Sequence, residues 1–291
     1  MAHMAHTQLL TGFDNVELMP DELWSGGIGR FVILNNRVSA DTVFRLVRRA
    51  LNRPRLNFLS LAAGLLGLEV TALISLHSLY PWLYCRPAAP LESLTVDIHS
   101  CGRSGKLLRV CEKCIAEDLA MWGFAYWRRS HQLLGVTWCT KHGDDLIEVS
   151  GLATQDSPDS ALTHSHPSSR RLAPTSLQRR YAAIAFGILE RGNADIALDF
   201  SSLKCRLREV YSSRTWDSIN REIREVPEEW INGESVHALR PIINTNGRPL
   251  SDGPTLTLAL ALSYETAGEA LSSLNEPVQN SQGANFAIPC A

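Results

Sequence analysis

Two pairs of residues at the same short spacing carry the clearest chemical capacity in the sequence. Cys111 and Cys114 lie in RVCEKC, Cys139 and His142 in WCTKHG, and 24 residues separate the pairs. A Cys-x2-Cys turn brings two thiolates to one ion, and three thiolates with one imidazole form the closed tetrahedral set that Zn2+ takes in structural sites. Arg109, Lys113 and Lys141 flank the pairs, where positive charge favours the thiolate form. The spacing predicts one structural Zn2+ held by Cys111, Cys114, Cys139 and His142. Without metal, the same four would be ordinary buried or surface groups. A catalytic site would need an open coordination position for water, or one activated thiol beside a base. The zinc deaminase signature requires His-x-Glu ahead of its Cys pair, and His99-Ser100-Cys101 does not supply it. No residue is assigned as catalytic, and the chain is expected not to be an enzyme. His131, Cys101 and Cys85 have no partner at ligand spacing and are not assigned as ligands. Cys85, beside Leu83 and Tyr84, reads as core.

The second chemical feature is arginine. Formal net charge is −2, which argues against a uniformly basic coat, yet Arg30, 37, 45, 48, 49, 53 and 55 face one acid, Asp41, between residues 30 and 68. Of the 28 basic residues four are lysine, a bias that suits bidentate contacts to phosphate or carboxylate and that a GC-rich genome would also produce. Arg45, Arg48, Arg49, Arg53 and Arg55 are the candidate contacts to nucleic acid or to an anionic partner.

These groups need positioning elements. SADTVFRLVRRALN starts with a possible Ser39 cap and places Val43, Leu46, Val47 and Leu51 at helical spacing, leaving the arginines on the wetter side. Downstream, a short helix near Leu59–Leu65, a turn at Gly67 and a helix over about 69–79 read as a helix-turn-helix, about 58–79. A DNA-reading second helix would offer only Thr71, Ser75, His77 and Ser78 to bases, so a protein or ribonucleoprotein docking surface stays equally open. In the insert between the metal pairs, a helix places Ile115, Leu119 and Trp122 on one face and runs into a cluster of Tyr126, Trp127, Arg128, Arg129 and His131. Aromatics so placed pack more often than they bind a cofactor.

With 291 residues, 45% of them apolar, the chain can bury a sizeable core. No apolar run approaches the roughly 20 residues that span a bilayer, and no signal peptide opens the chain, so a cytoplasmic protein is expected. The opening MAHMAH reads as a cloning remnant, which removes His3 and His6 from consideration. Residues 154–176 are rich in Ser, Thr, Pro and His and read as a linker. They divide residues 1–153, containing the helix-turn-helix and a small zinc-ribbon-like module at about 109–143, from a helical region over 177–291. In that second region SLQRRYAAIAFGILERG reads as a helix capped by Ser176. GPTLTLALALSYETAGEALSSL reads as a last helix whose first half alternates like a strand, and the tail after it is expected to be poorly ordered. The fold class is mainly α with little sheet.

Taken in order, RVCEKCIAEDLAMWGFAYWRRSHQLLGVTWCTKHG resembles the signature of the TniQ/TnsD family of transposon target-site selection proteins. There a Cys-x2-Cys-x-Ala-Glu-Asp segment runs into Tyr-Trp-Arg-Arg-Ser-His-Gln and then Cys-x2-His-Gly. The match covers about 35 residues. MPDELWSGGIGRFVILNN resembles, more weakly, the family's helix ahead of the helix-turn-helix, and beyond residue 153 nothing specific is matched. The resemblance implies a targeting adaptor of DNA transposition that reads a DNA site or docks on an RNA-guided Cascade-type complex and recruits an AAA+ ATPase. It also implies that Cys111, Cys114, Cys139 and His142 are the zinc ligands. With this order, Arg128 and Arg129 join the candidate nucleic-acid or partner contacts, and a homodimer is possible. From a different class, a free-standing zinc-containing helix-turn-helix transcriptional regulator is the alternative.

Overall fold

In a computed structural model, the structure describes residues 14, 16–36, 39–50, 58–83, 107–150, 156–160, 174–191, 200–213, 218 and 253–274. The described part is mainly helical. The elements are α1 (Trp24–Leu34), α2 (Ala40–Ala50), α3 (Phe58–Leu65), α4 (Val70–His77), α5 (Tyr80–Leu83), β1 (Leu107–Val110), α6 (Glu112–Trp122), β2 (Ile147–Ser150), α7 (Ser176–Glu190), α8 (Phe200–Ser213), α9 (Gly253–Ser263) and α10 (Ala267–Ser273). Cys85, Cys101, Arg37, Arg53, Arg55, Leu51 and the tail from 275 lie outside the described residues. Among the described residues no single helix is long and apolar enough to cross a membrane.

Helices α1 to α4 share one apolar core. Ser39 does cap α2, its Oγ accepting the Thr42 amide at 3.2 Å. The buried side of α2 is Ala40, Val43 and Phe44, while Leu46, expected inside, is 45% exposed. Phe44 and Phe58 meet edge to face at 4.2 Å, closing α2 onto α3. The turn between α3 and α4 takes Gly67 at φ +67°, a left-handed conformation that glycine adopts without steric cost, and the two helices bend by 86°. That is a helix-turn-helix geometry.

A second core joins the strand pair, α6 and the segment after it to the helices beyond residue 174. In α7, Leu177, Tyr181, Ile184 and Ile188 recur at helical spacing and are buried, as are Leu203 and Leu207 of α8. Its cap is Thr175, one residue earlier than expected: Thr175 and Gln178 exchange hydrogen bonds as a capping box. The GPTLTLALALSYETAGEALSSL segment forms two helices, because Thr266 caps a fresh start, its hydroxyl accepting from the Glu269 amide. Strand-like alternation misled there because α9 is buried on every side from Gly253 to Leu262, so its leucines need no helical period. Each leucine fully buried is worth about 2 kcal/mol. Trp82 of α5 donates its indole N–H to Thr257 at 3.0 Å, and a Cβ on Gly253 would lie 1.6 Å from the Trp82 carbonyl oxygen. Residues 154–176 thus separate stretches of chain that share one core in space. Within them, Asp156 is fixed by Trp127, whose indole N–H donates to its carbonyl at 2.7 Å.

Candidate metal centre and the faces around it

Strand β1 pairs antiparallel with β2 in the register Val110 with Ile147 and Leu108 with Val149. The chain leaves β1 directly into α6, with Cys111 as its N-cap in extended conformation. Cys111 and Cys114 therefore sit together at the start of one helix. On the other side, the Cys139 amide donates to the Asp144 carbonyl at 2.8 Å and the Gly143 amide to the Cys139 carbonyl at 2.9 Å. Gly143 completes that loop at φ +69°. Two turns, one at a helix start and one in a loop, thus point four donors at a common centre.

The donor atoms of Cys111, Cys114, Cys139 and His142 all lie within 4.8 Å of one another, so these four residues could bind a metal ion. Cys114 Sγ is 3.8 Å from Cys139 Sγ, and His142 Nδ1 is 3.4, 3.3 and 3.7 Å from the sulfurs of Cys111, Cys114 and Cys139. The cysteines are buried and the His142 side chain is 11% exposed. Hydrogen bonding with Cys111 and Cys139 pushes the Cys114 thiol up, and hydrogen bonding with Cys111 and Cys114 pulls Cys139 down.

Glu117, one turn after Cys114, supplies what sequence spacing did not reveal. Its carboxylate takes His142 Nε2 at 2.9 Å and also the Lys141 ammonium. Those two hydrogen bonds, Lys141 first, hold Glu117 down at about 2. Burial alone would lower His142, but hydrogen bonds to Glu117 and to the thiols raise it to about 9. With Nε2 on the carboxylate, Nδ1 faces the sulfurs, the arrangement in which an outer carboxylate orients a metal-binding imidazole. The signal was available: Glu117 is three residues beyond Cys114, the spacing that shares a helix face. His131 also reaches the cluster, with Nε2 3.8 Å from Cys114 Sγ, from a buried site that lowers it to about 4. It contacts a sulfur from outside the four-donor group.

The order of YWRRSHQ puts Arg128 and Arg129 at a nucleic-acid or partner surface; the structure corrects this. Arg128 donates to Asp118 at 2.6 Å and stacks over Tyr126 at 4.5 Å. Burial raises Asp118 to about 6 against the pull of Arg128. Arg129 is 6% exposed; it pairs with Asp21 and donates from Nη1 to the carbonyls of Ser75 and Ser78 at 3.1 and 3.2 Å. Around them residues 21–23 run beside 127–130: the Leu23 amide donates to Trp127, the Arg129 amide to Asp21, and Ser130 donates from both its amide and its hydroxyl to the Asp21 carboxylate. Asp21 holds φ +62° to do so, a conformation that aspartate tolerates better than most residues. Arg129 welds the metal module to α4 and to the segment before α1, while Arg128 is held within the module.

Three of the four side chains that could have read bases are engaged within the fold, and Thr71 stays exposed. His77 Nδ1 lies 3.0 Å from the Glu22 carbonyl, Ser78 is buried with its hydroxyl on the Ile74 carbonyl, and the Ser75 hydroxyl donates to Thr71. Glu69, Thr71 and Leu76 are the exposed side chains of α4 and its cap. The arginine face behaves differently: Arg45 and Arg49 are exposed on α2 and Arg48 is half-buried beside them. Spaced by three and four residues, they share one side of the helix.

Residues 15–146 match the family model described as TniQ, a stretch that holds α1 to α6, all four metal donors and the Arg128–Arg129 lattice. No curated protein matches the sequence.

Proposed function

We propose, from the premise that residues 15–146 make this chain a member of the TniQ family, that it is a targeting adaptor in DNA transposition. It docks on a nucleic-acid-bearing target, either DNA itself or a Cascade-type ribonucleoprotein, and brings an AAA+ transposition ATPase to it. Family membership is the observation that carries this reading. Arg45, Arg48 and Arg49 supply phosphate contacts from α2, with Arg53 and Arg55 as further candidates in sequence. The exposed side of α4, with Glu69, Thr71 and Leu76, favours docking over base reading and weighs against the transcriptional regulator.

Zn2+ is the proposed ion at Cys111, Cys114, Cys139 and His142. A tetrahedral zinc site with bonds of about 2.3 Å to sulfur and about 2.0 Å to nitrogen needs S···S near ~3.8 Å and S···N near ~3.5 Å. The measured 3.8 Å between Cys114 and Cys139, and 3.3 to 3.7 Å from the sulfurs to His142, support that fit. Zinc supplies a crosslink there, and four protein donors leave no position for substrate.

Two measurements test the adaptor reading. Each phosphate that an arginine neutralises adds about 0.9 to the salt slope of log K, so three such arginines give roughly a 40-fold fall in affinity between 50 and 200 mM salt. Anisotropy titrations of duplex DNA with the wild-type chain and with Arg45→Glu, Arg48→Glu and Arg49→Glu combined read that slope. Salt-insensitive binding by the wild type would remove the phosphate role. Failure to co-purify with an AAA+ transposition ATPase, in the presence of target, would remove the adaptor role.

A further inference from the structure

Sequence periodicity places Ile115, Leu119 and Trp122 on one face of α6, as a stripe meant to be covered. The structure buries Ile115 alone. Leu119 is 40%, Trp122 49% and the adjoining Met121 70% exposed. Gly123 then ends the helix in left-handed conformation, its amide on the Leu119 carbonyl. Across from them, the last turn of α1 presents Ile33 and Leu34, 57% and 52% exposed. Between the two helix ends lies a groove of about 360 Å³, walled by Ile33, Leu34, Leu119 and Phe124 and floored by Trp127. Three of the seven large exposed apolar side chains among the described residues, Ile33, Leu34 and Leu119, thus line one hollow.

Among the described residues, the net charge around this hollow is negative. Asp14 and Glu17 flank its α1 side: the Asp14 carbonyl and amide are tied to Asn35, beside Leu34, and the Glu17 carbonyl takes Arg30. Asp159 lines the other side. Among the described residues lining it, Arg30 is the sole cation. Its guanidinium is bound to both oxygens of the fully buried Glu22, at 2.9 and 2.6 Å, and lies over Phe124 at 4.4 Å. That pair cancels within the wall, so the rim is acidic. The basic face on α2 has the opposite sign.

We propose that this groove is a docking site for an amphipathic helix of a protein partner, with an apolar face to fill the hollow and Lys or Arg beside it to meet the acidic rim. A helix laid in a groove anchors through side chains one turn apart, and two or three such side chains fit a hollow of this size. Nucleic acid is disfavoured by the rim. The proposal deepens the adaptor reading by assigning the protein partner a face of its own, and it does not depend on the α2 arginines.

The test uses the full chain and two 18-residue model helices, one of Leu and Lys and one of Leu and Glu with the same apolar face. Expected are saturable binding of the Leu/Lys helix, at least tenfold weaker binding of the Leu/Glu helix, and hydrogen-exchange protection confined to residues 24–34 and 112–124. Ile33→Asp with Leu119→Asp should lower affinity for the Leu/Lys helix at least tenfold, while Leu46→Asp and Leu76→Asp, exposed elsewhere, leave it unchanged. All four sites are on the surface, and circular dichroism with DNA titration checks that each variant is folded. Equal binding of both helices, protection elsewhere, or retained affinity in the double variant would overturn the proposal. So would sedimentation showing that the chain self-associates through Ile33 and Leu119, because the groove would then belong to a second copy. DNA affinity retained by the double variant keeps this test separate from the adaptor test: either face can fail alone.

Discussion

Replacing Arg129 with methionine separates a surface role from a structural one. The substitution keeps most of the aliphatic stem and removes the guanidinium, which is 6% exposed, pairs with Asp21 and donates to the carbonyls of Ser75 and Ser78. Breaking a buried ion pair from one side costs about 3–5 kcal/mol, since the partner charge stays behind without compensation. Asp21 is 19% exposed and keeps the Ser130 hydroxyl and amide, which recovers part of that loss. A cost of about 3 kcal/mol follows, and for a chain of this size it lowers Tm by roughly 6–12 °C. Thermal melts followed by circular dichroism read the change, with Arg49→Met as the exposed control, expected within about 0.5 kcal/mol of wild type. A cycle with Asp21→Asn should give a coupling of about 1–3 kcal/mol, because the two groups touch. An Arg129→Met protein that melts with the wild type while losing nucleic-acid affinity would refute the weld and restore Arg129 to the surface.

Two more outcomes follow from the geometry. Elemental analysis of protein purified without chelator should find about one zinc per chain, and Cys139→Ser should abolish it and loosen residues 107–150 in hydrogen exchange, because binding energy at a structural site is folding energy; a metal-free wild type with the same protection would contradict this. His77 is lowered from 6.5 by burial, so it folds neutral while the unfolded chain takes up a proton more readily. Its contribution is present above about pH 6.5 and is lost as pH falls below that value; Tm from pH 8 to 5 should fall less steeply in His77→Gln, and identical slopes would exclude His77 as the titrating group.

The clustering of Cys111, Cys114, Cys139 and His142 was legible because a Cys-x2-Cys and a Cys-x2-His pair have the spacing that brings such side chains together. The helix-turn-helix was legible from two apolar stretches around Gly67. Other features depended on contacts that spacing cannot express. Arg128 and Arg129 look like surface cations in YWRRSH, and only the placement of Asp118 and of Asp21, more than a hundred residues earlier, buries their charge. The alternation in α9 resembled a strand because burial on all sides erases the period by which helices are recognised. In α6 the error ran the other way. Its stripe of Ile115, Leu119 and Trp122 has the period of a buried face, yet Leu119 and Trp122 are 40% and 49% exposed.

What a metal would add to this module is a question of size. Its sheet is two strands of four residues, and a two-stranded ribbon of that length is marginal in water. The charged side chains that hold it to α4 and to the segment before α1 form a lattice whose ions were expensive to bury, so they fix the orientation of the module more than they stabilise it. An ion shared by Cys111, Cys114, Cys139 and His142 would tie the start of α6 to the loop before β2, a side that neither the strands nor the arginines reach. Loss of the ion would then be felt first at α6. Since Leu119 and Trp122 stand on that helix, the apolar groove should loosen before the arginine face on α2, which rests on a different core.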